Sequence, residues 1–169
     1  INALNNLKLK GMVKKIGISI YEPSELEKLT KKFKPDIIQA PLNIIDQRLV
    51  DSGWLSKLYK TDVEIHIRSV FLQGLLLMVD QNRPHKFNRW KKLWIIWHEW
   101  LNDNQITALE ATIRYAFSIK EVSKVIVGVD SKEQLKQIID ASNGKLPPIP
   151  SELIVDDKNL LNPSNWNKI

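Results

Sequence analysis

The sequence predicts an α/β fold built on a parallel sheet, on three observations. Four short apolar runs are each followed by helical periodicity, hairpin signals between them are almost absent, and a polar side chain stands at or just past the C-terminal end of every run. Strand–helix alternation without hairpins implies parallel strands joined by right-handed crossovers. Two architectures satisfy this pattern: a doubly wound sheet complete with four strands, and a (β/α)8 barrel of which half is present. Periodicity does not choose between them.

The first strand is expected over residues 15–20, where Ile16, Ile18 and Ile20 alternate after a Lys10-Gly11-Met12 turn. Ser24 and Glu27 then form an S-x-x-E capping box, and Leu26, Leu29 and Phe33 carry helical spacing. Pro35-Asp36 breaks that helix, and Ile37-Ile38-Gln39-Ala40 is a second strand stopped by Pro41. Asp46 is expected to cap a helix with Leu49, Trp54, Leu55 and Leu58 inward, before a third strand over residues 63–68. Residues 69–89 contain Gly74, Asn82 and Pro84 and hold no sustained period, so they read as a long connection with room for a short helix.

Beyond it, Trp90, Leu93, Trp94, Trp97 and Leu101 make one helical stripe. Thr107 and Glu110 cap another helix, with Leu109, Ile113, Ala116 and Phe117 inward. The fourth strand is residues 124–128, and Ser131 with Gln134 opens a helix placing Leu135, Ile138 and Ile139 inward. The expected division is 1–142 for the βα units and 143–169 for a proline-rich tail packed on them, with Trp166 as its anchor.

Composition bounds the chemistry. The absence of cysteine excludes disulfides, thiolate zinc sites and cysteine nucleophiles, and fits a reducing cytoplasm. The N-terminus lacks the basic-then-apolar order of a secretory signal, and its missing initiator Met fits a truncated or processed chain. The longest apolar runs, 75–79 and 93–97, fall far short of the ~20 residues a membrane helix needs. A net charge of +6 raises the question of nucleic acid. The basic residues are spread along helices and interleaved with acidic and apolar ones, so no nucleic-acid partner is expected.

No metal is expected, because His66, His85 and His98 show no ligand spacing. The string GISIY lacks the second glycine of a nucleophile elbow. Neither G-x-G-x-x-G nor a P-loop occurs, which weighs against a doubly wound dinucleotide fold. What does recur is polarity at strand ends: Ser19, Gln39 with Asn43, Arg68 with Ser69, and Asp130 with Ser131. In a parallel sheet these share one rim, beside helix N-termini whose free N–H groups suit phosphate.

Four segments, KKIGISIYEPSELEKL, DIIQAPLNIIDQRL, EIHIRSVFLQGLLL and KVIVGVDSKEQLKQIIDA, followed by NPSNW, together resemble the aldo/keto reductase family over nearly the whole chain. That resemblance implies a (β/α)8 TIM barrel of which this chain is the C-terminal half, strands five to eight, with a nicotinamide cofactor, NADP or NAD. It implies that Ser19 and Gln39 bind the nicotinamide carboxamide and that Arg68 stands where many members place a tyrosine against the ring. Ser69, Phe71, Gln73 and Gly74 fall in the loop along the pyrophosphate, and Gly128, Ser131 and Gln134 around the adenosine. Three positions depart from the family pattern: Ile20 replaces the Asn after the strand-end serine, Ile138 replaces an Asn in the last helix, and Asp130 occupies a place often basic or neutral.

The family's catalytic Asp, Tyr, Lys and His come from strands two to four, and no residue here matches those motifs, so no catalytic residue is expected. The implied function is part of an NAD(P)H-dependent reductase of aldehydes or ketones, completed by the N-terminal half of the barrel or by a partner chain. The alternatives are a non-catalytic half-barrel that pairs with itself or another chain, and a small doubly wound protein with an unrelated ligand.

Overall fold

A computed structural model describes residues 1–169. Helix α1 (Asn2–Leu9) leads into strand β1 (Gly17–Ser19) and helix α2 (Glu25–Lys32), and strand β2 (Ile37–Pro41) is followed by two short helices, α3 (Arg48–Asp51) and α4 (Trp54–Tyr59). Strand β3 (Glu64–Arg68) is followed by three 3₁₀ turns and by helices α5 (Lys91–Asp103) and α6 (Ala108–Ser118). Strand β4 (Lys124–Val125) and helix α7 (Lys132–Ala141) are followed by a 3₁₀ turn (Ser151–Leu153), a small helix α8 (Lys158–Leu161) and a last 3₁₀ segment (Pro163–Lys168).

The four strands form one sheet in sequence order, every neighbouring pair parallel. This is the arrangement of half a (β/α)8 barrel: consecutive strands side by side, with no strand returning to the middle as in a doubly wound sheet. Alternation along β3 buries Ile65 and Ile67 against the helical layer and turns Glu64, His66 and Arg68 to the opposite face. Ile38 and Ala40 of β2 join the buried side, and Gln39 pairs in register with Ser19 and His66. Gly17 is required by close approach, since a Cβ there would lie 2.2 Å from the carbonyl oxygen of Ile37.

Both outer strands are shorter than expected, β1 spanning 17–19 rather than 15–20 and β4 only 124–125. Each has a neighbour on one side alone, although single bonds such as Ile20 N–H to Gln39 O and Ile126 N–H to Ile67 O prolong the pairing. The same openness explains three corrections on the helices. Phe117, Leu135 and Ile139, expected inward, are 61%, 43% and 58% exposed, because no layer packs on that flank of α6 and α7. Helix α1 was not anticipated; it buries no residue and is tied to the sheet by the Lys8–Asp36 ion pair at 2.6 Å.

The expected caps divide. Thr107 and Glu110 form the full box on α6. Ser24 makes no cap bond, since its helical backbone (φ −60, ψ −22) is not the extended geometry of an N-cap. Glu25 takes that role, its carboxylate accepting the N–H groups of Tyr21 and Glu22 at 2.8 and 2.7 Å. Asp46 does not cap a continuous helix either. Its carboxylate holds Arg48 through Nε and Nη2, at 2.8 and 2.9 Å, and the helix divides where Gly53 turns left-handed.

Helix α5 organises the rest through its tryptophans. The indole N–H of Trp94 donates to Phe87 O, that of Trp97 to Leu76 O and that of Trp100 to Pro148 O, at 3.0, 3.2 and 2.9 Å. Leu153, Leu160 and Leu161 are buried in the same core, and Trp166 meets Phe87 edge-on at 4.8 Å.

One titrating contact lies in this layer. Arg83 stacks on Trp94 and donates from Nη2 to His98 Nε2 at 3.1 Å and from Nη1 to Asp80 at 2.6 Å. Arginine only donates, so His98 is neutral with its proton on Nδ1. Burial, and then the Arg83 charge, holds the imidazole below its usual range. The folded state therefore binds fewer protons than the unfolded chain, and stability rises with pH between the lowered value and the unfolded one of about 6.5. Urea midpoints should fall between about pH 7 and about pH 5, and His98→Gln should flatten that slope.

Candidate functional site

The C-terminal ends of the strands carry a connected polar rim. Ser19 closes β1 and donates its hydroxyl to Gln39 Oε1 at 3.2 Å. Arg68, the last residue of β3, spans the gap back to β1. Its Nε donates to Ser19 Oγ at 3.4 Å, its Nη2 to Ile20 O at 3.0 Å and its Nη1 to Ser69 Oγ at 3.2 Å. The guanidinium also lies 4.6 Å over the Tyr21 ring, a favourable placement for a cation. Buried Asn43 fixes the far side, donating to Ser69 O at 3.0 Å while its Oδ1 accepts from Ile45 and Asp46.

After β3 the backbone is strained. Ser69, Leu72, Gln73 and Gly74 have φ of 60, 47, 55 and 82. Only the glycine takes that region without cost, and such strain gathers at ligand-holding segments. The N–H groups of Gln73 and Gly74 make no backbone hydrogen bond, and successive left-handed residues of this kind form a concavity suited to anions.

This loop walls a cleft of about 850 Å³ between the ends of β3 and β4, within the roughly 300 to 1,000 Å³ of small-molecule sites. Of the expected site residues, Arg68, Ser69, Phe71, Gln73, Gly74, Gly128 and Gln134 line it. Ser19 and Gln39 do not, and reach it through Arg68. Ser131 lies outside the wall; its hydroxyl caps α7 by accepting from Gln134 N–H at 3.1 Å. The Gln134 carbonyl accepts the N–H of Asp130 at 2.8 Å, one residue earlier than a reciprocal box would place it.

Sequence reasoning missed Leu77, Leu109, Val127 and Val129 in the lining, together with Gln137. Gln134, Gln137 and Ile138 share one helical face, the signal that would have found Gln137. At the opposite end of the strands Glu64 is surrounded by Lys15, His66 and Lys124. Hydrogen bonds from His66 and then Lys15 hold its carboxyl down to about 2. That cluster is remote from the rim.

A sequence model of the Aldo/keto reductase family matches residues 1–152. This chain belongs to the aldo/keto reductase family. Aldo/keto reductase structures also share its fold. The holo form of aldo-keto reductase AKR11C1 from Bacillus halodurans matches with a TM-score of 0.69 at 20% identity, over 90% of this chain and 53% of that one. The apo form of the same enzyme gives a TM-score of 0.67 at 21% identity, over the same shares of each chain. A thermostable aldo-keto reductase, Tm1743, in complex with the inhibitor epalrestat gives 0.63 at 18% identity, over 90% of this chain and 50% of that one. The chain thus spans about half the length of these reductases. No curated protein matches it in sequence. No helix is long and apolar enough to cross a membrane.

Proposed function

We propose that this chain is the cofactor-binding half of an NAD(P)H-dependent aldo/keto reductase, an oxidoreductase that reduces an aldehyde or ketone, and that the catalytic residues lie in the other half of the barrel. The observation that carries the reading is the cleft at the strand ends, with a fixed cation and an anion-accepting turn on one wall. A reduced nicotinamide would supply the hydride. The side chains here do the holding. Ser19 and Gln39 present a hydroxyl and an amide to a carboxamide, Arg68 and Ser69 keep that rim rigid, and Phe71 with the Gln73 and Gly74 N–H groups faces a diphosphate. Gly128, Ser131 and Gln134 shape the adenosine end. In this reading residues 1–142 are the barrel portion, 143–169 a tail packed on it, and the compartment is the cytoplasm.

Hydride addition to a carbonyl makes an alkoxide that needs a positioned acid. The three tyrosines do not supply one: Tyr21 lies under Arg68, Tyr59 is an exposed helix residue, and burial pushes the Tyr115 phenol upward. The chain alone should therefore bind NADH or NADPH but leave reduced-nicotinamide absorbance unchanged with reactive aldehydes. Arg68→Ala should weaken calorimetric binding about tenfold, the scale of a charge-assisted hydrogen-bond set. Turnover abolished by Tyr21→Phe would overturn the assignment.

A second reading, a non-catalytic half-barrel that pairs with itself or another chain, is favoured by one observation. The outer strands β1 and β4 each have an unpaired edge, and exposed Ile126, Val129, Leu135 and Ile139 follow β4 in the chain; open apolar edges invite association. Light scattering on the same sample separates the two: stable association without cofactor binding supports this second reading.

A further inference from the structure

We infer that Asn143 is a site of spontaneous covalent modification: its side-chain amide is displaced by the backbone nitrogen of Gly144, and the joint between α7 and the tail becomes an isoaspartyl link. This chemistry is independent of whatever the cleft binds.

Asn143 is the one asparagine of the chain followed by glycine. The backbone nitrogen of a following residue can reach an asparagine side-chain carbonyl, and glycine, with no Cβ, obstructs that approach least. Asn143 and Gly144 are exposed just past the end of α7, where water has access. The Gly144 N–H makes no hydrogen bond, so nothing holds its proton in place. The Asn143 side chain is held only by donating to Asp140 O at 3.3 Å.

Arg114 of α6 folds around this turn. Its Nε donates to Ala141 O at 3.2 Å and its Nη1 to Lys145 O at 3.3 Å, so one guanidinium grips the chain on both sides of Asn143. It also packs on Gly144, where a Cβ would stand 2.7 Å from Arg114 Cζ, and the φ of 115 there suits glycine alone. A fixed cation beside an amide nitrogen favours its deprotonated, nucleophilic form. Glu110 pairs with Arg114 Nη2 at 2.5 Å and offsets part of that charge, whereas Asp140 is occupied by Lys136.

The step balances without an oxidant or a cofactor. Gly144 N gives up its proton and bonds to Asn143 Cγ, the Cγ–Nδ2 bond breaks, and the nitrogen leaves as ammonia. Water then opens the five-membered imide. Attack at Cγ gives aspartate, and attack at the Asn143 main-chain carbonyl gives isoaspartate, whose chain runs through the former side chain. The link gains one backbone atom between Ala141 and Lys145, too long for Arg114 to keep both carbonyls. A carboxylate also appears at the C-terminal end of α7, where the helix dipole disfavours it, and the formal charge of +6 falls by one.

Incubating the folded, purified chain in mildly alkaline buffer and mapping its peptides by mass spectrometry tests this. The Asn143 peptide should gain the mass difference between an amide and an acid at least about tenfold faster than any other asparagine peptide. It should also accept a methyl group from a carboxyl methyltransferase specific for isoaspartate. Asn143→Gln should abolish both signals. Arg114→Gln should slow conversion several-fold, and Glu110→Gln, which unmasks the guanidinium, should speed it. Thermal melts check that each variant is folded. Conversion only after unfolding in urea, faster reaction at another asparagine, or aspartate without isoaspartate would overturn the inference. Rates unmoved by both Arg114→Gln and Glu110→Gln would overturn the role given to the guanidinium.

Discussion

Trp97→Ala should destabilise the chain by about 3–5 kcal/mol, the range for deleting a large aromatic from a well-packed core. Trp97 is wholly buried, stacks on Trp100 at 5.6 Å and donates to Leu76 O at 3.2 Å. Truncation leaves a cavity and also orphans a carbonyl in the loop that walls the cleft. Urea unfolding followed by far-UV circular dichroism would measure the loss. Trp97→Phe, which keeps most of the packing but not the donor, should fall clearly short of the alanine variant. Equal losses would mean that the hydrogen bond, not the volume, carries the effect.

The second large effect is electrostatic. Asp46→Ala should cost about 3 kcal/mol or more, because breaking a buried pair leaves one charge uncompensated. The Asp46 and Arg48 side chains are 1% and 9% exposed and share two hydrogen bonds. Glu22 also reaches Arg48 Nη1 at 2.9 Å, which keeps the loss toward the lower end. Replacing both partners, as Asp46→Ala with Arg48→Met, should recover much of the stability in the same urea assay, since it removes the stranded cation. A double variant no more stable than Asp46→Ala would place the cost in lost local geometry at Asp46 instead.

The legible parts of this molecule were those whose signal is local and periodic. Ile38 with Ala40, and Ile65 with Ile67, alternate as buried strands must, and Leu93, Trp94, Trp97 and Leu101 keep a helical stripe that the packing buries. The same rule misplaced Phe117, Leu135 and Ile139, because an apolar stripe states which face seeks cover and not whether cover is present. Ser24 and Glu27 had the letters of a capping box without the backbone geometry. In the candidate site, the polar strand ends Ser19, Gln39 and Arg68 could be read from their positions after apolar runs. Their linkage through the Arg68 guanidinium could not, since it joins residues 49 apart in the chain. Nor could the left-handed run at Leu72 and Gln73, where neither residue type announces that conformation.

Helix α5 has a consequence for how the molecule opens. Its three indoles hold the cleft loop at Leu76, the connection at Phe87 and the tail at Pro148. Segments far apart in sequence are thereby fastened to one rigid rod, and releasing any of them exposes part of the same tryptophan layer. In the language of hydrogen exchange, cleft wall and tail belong to a single cooperative unit, with one opening free energy between them. A loosened tail is then felt as a loosened cleft, without any contact between the two.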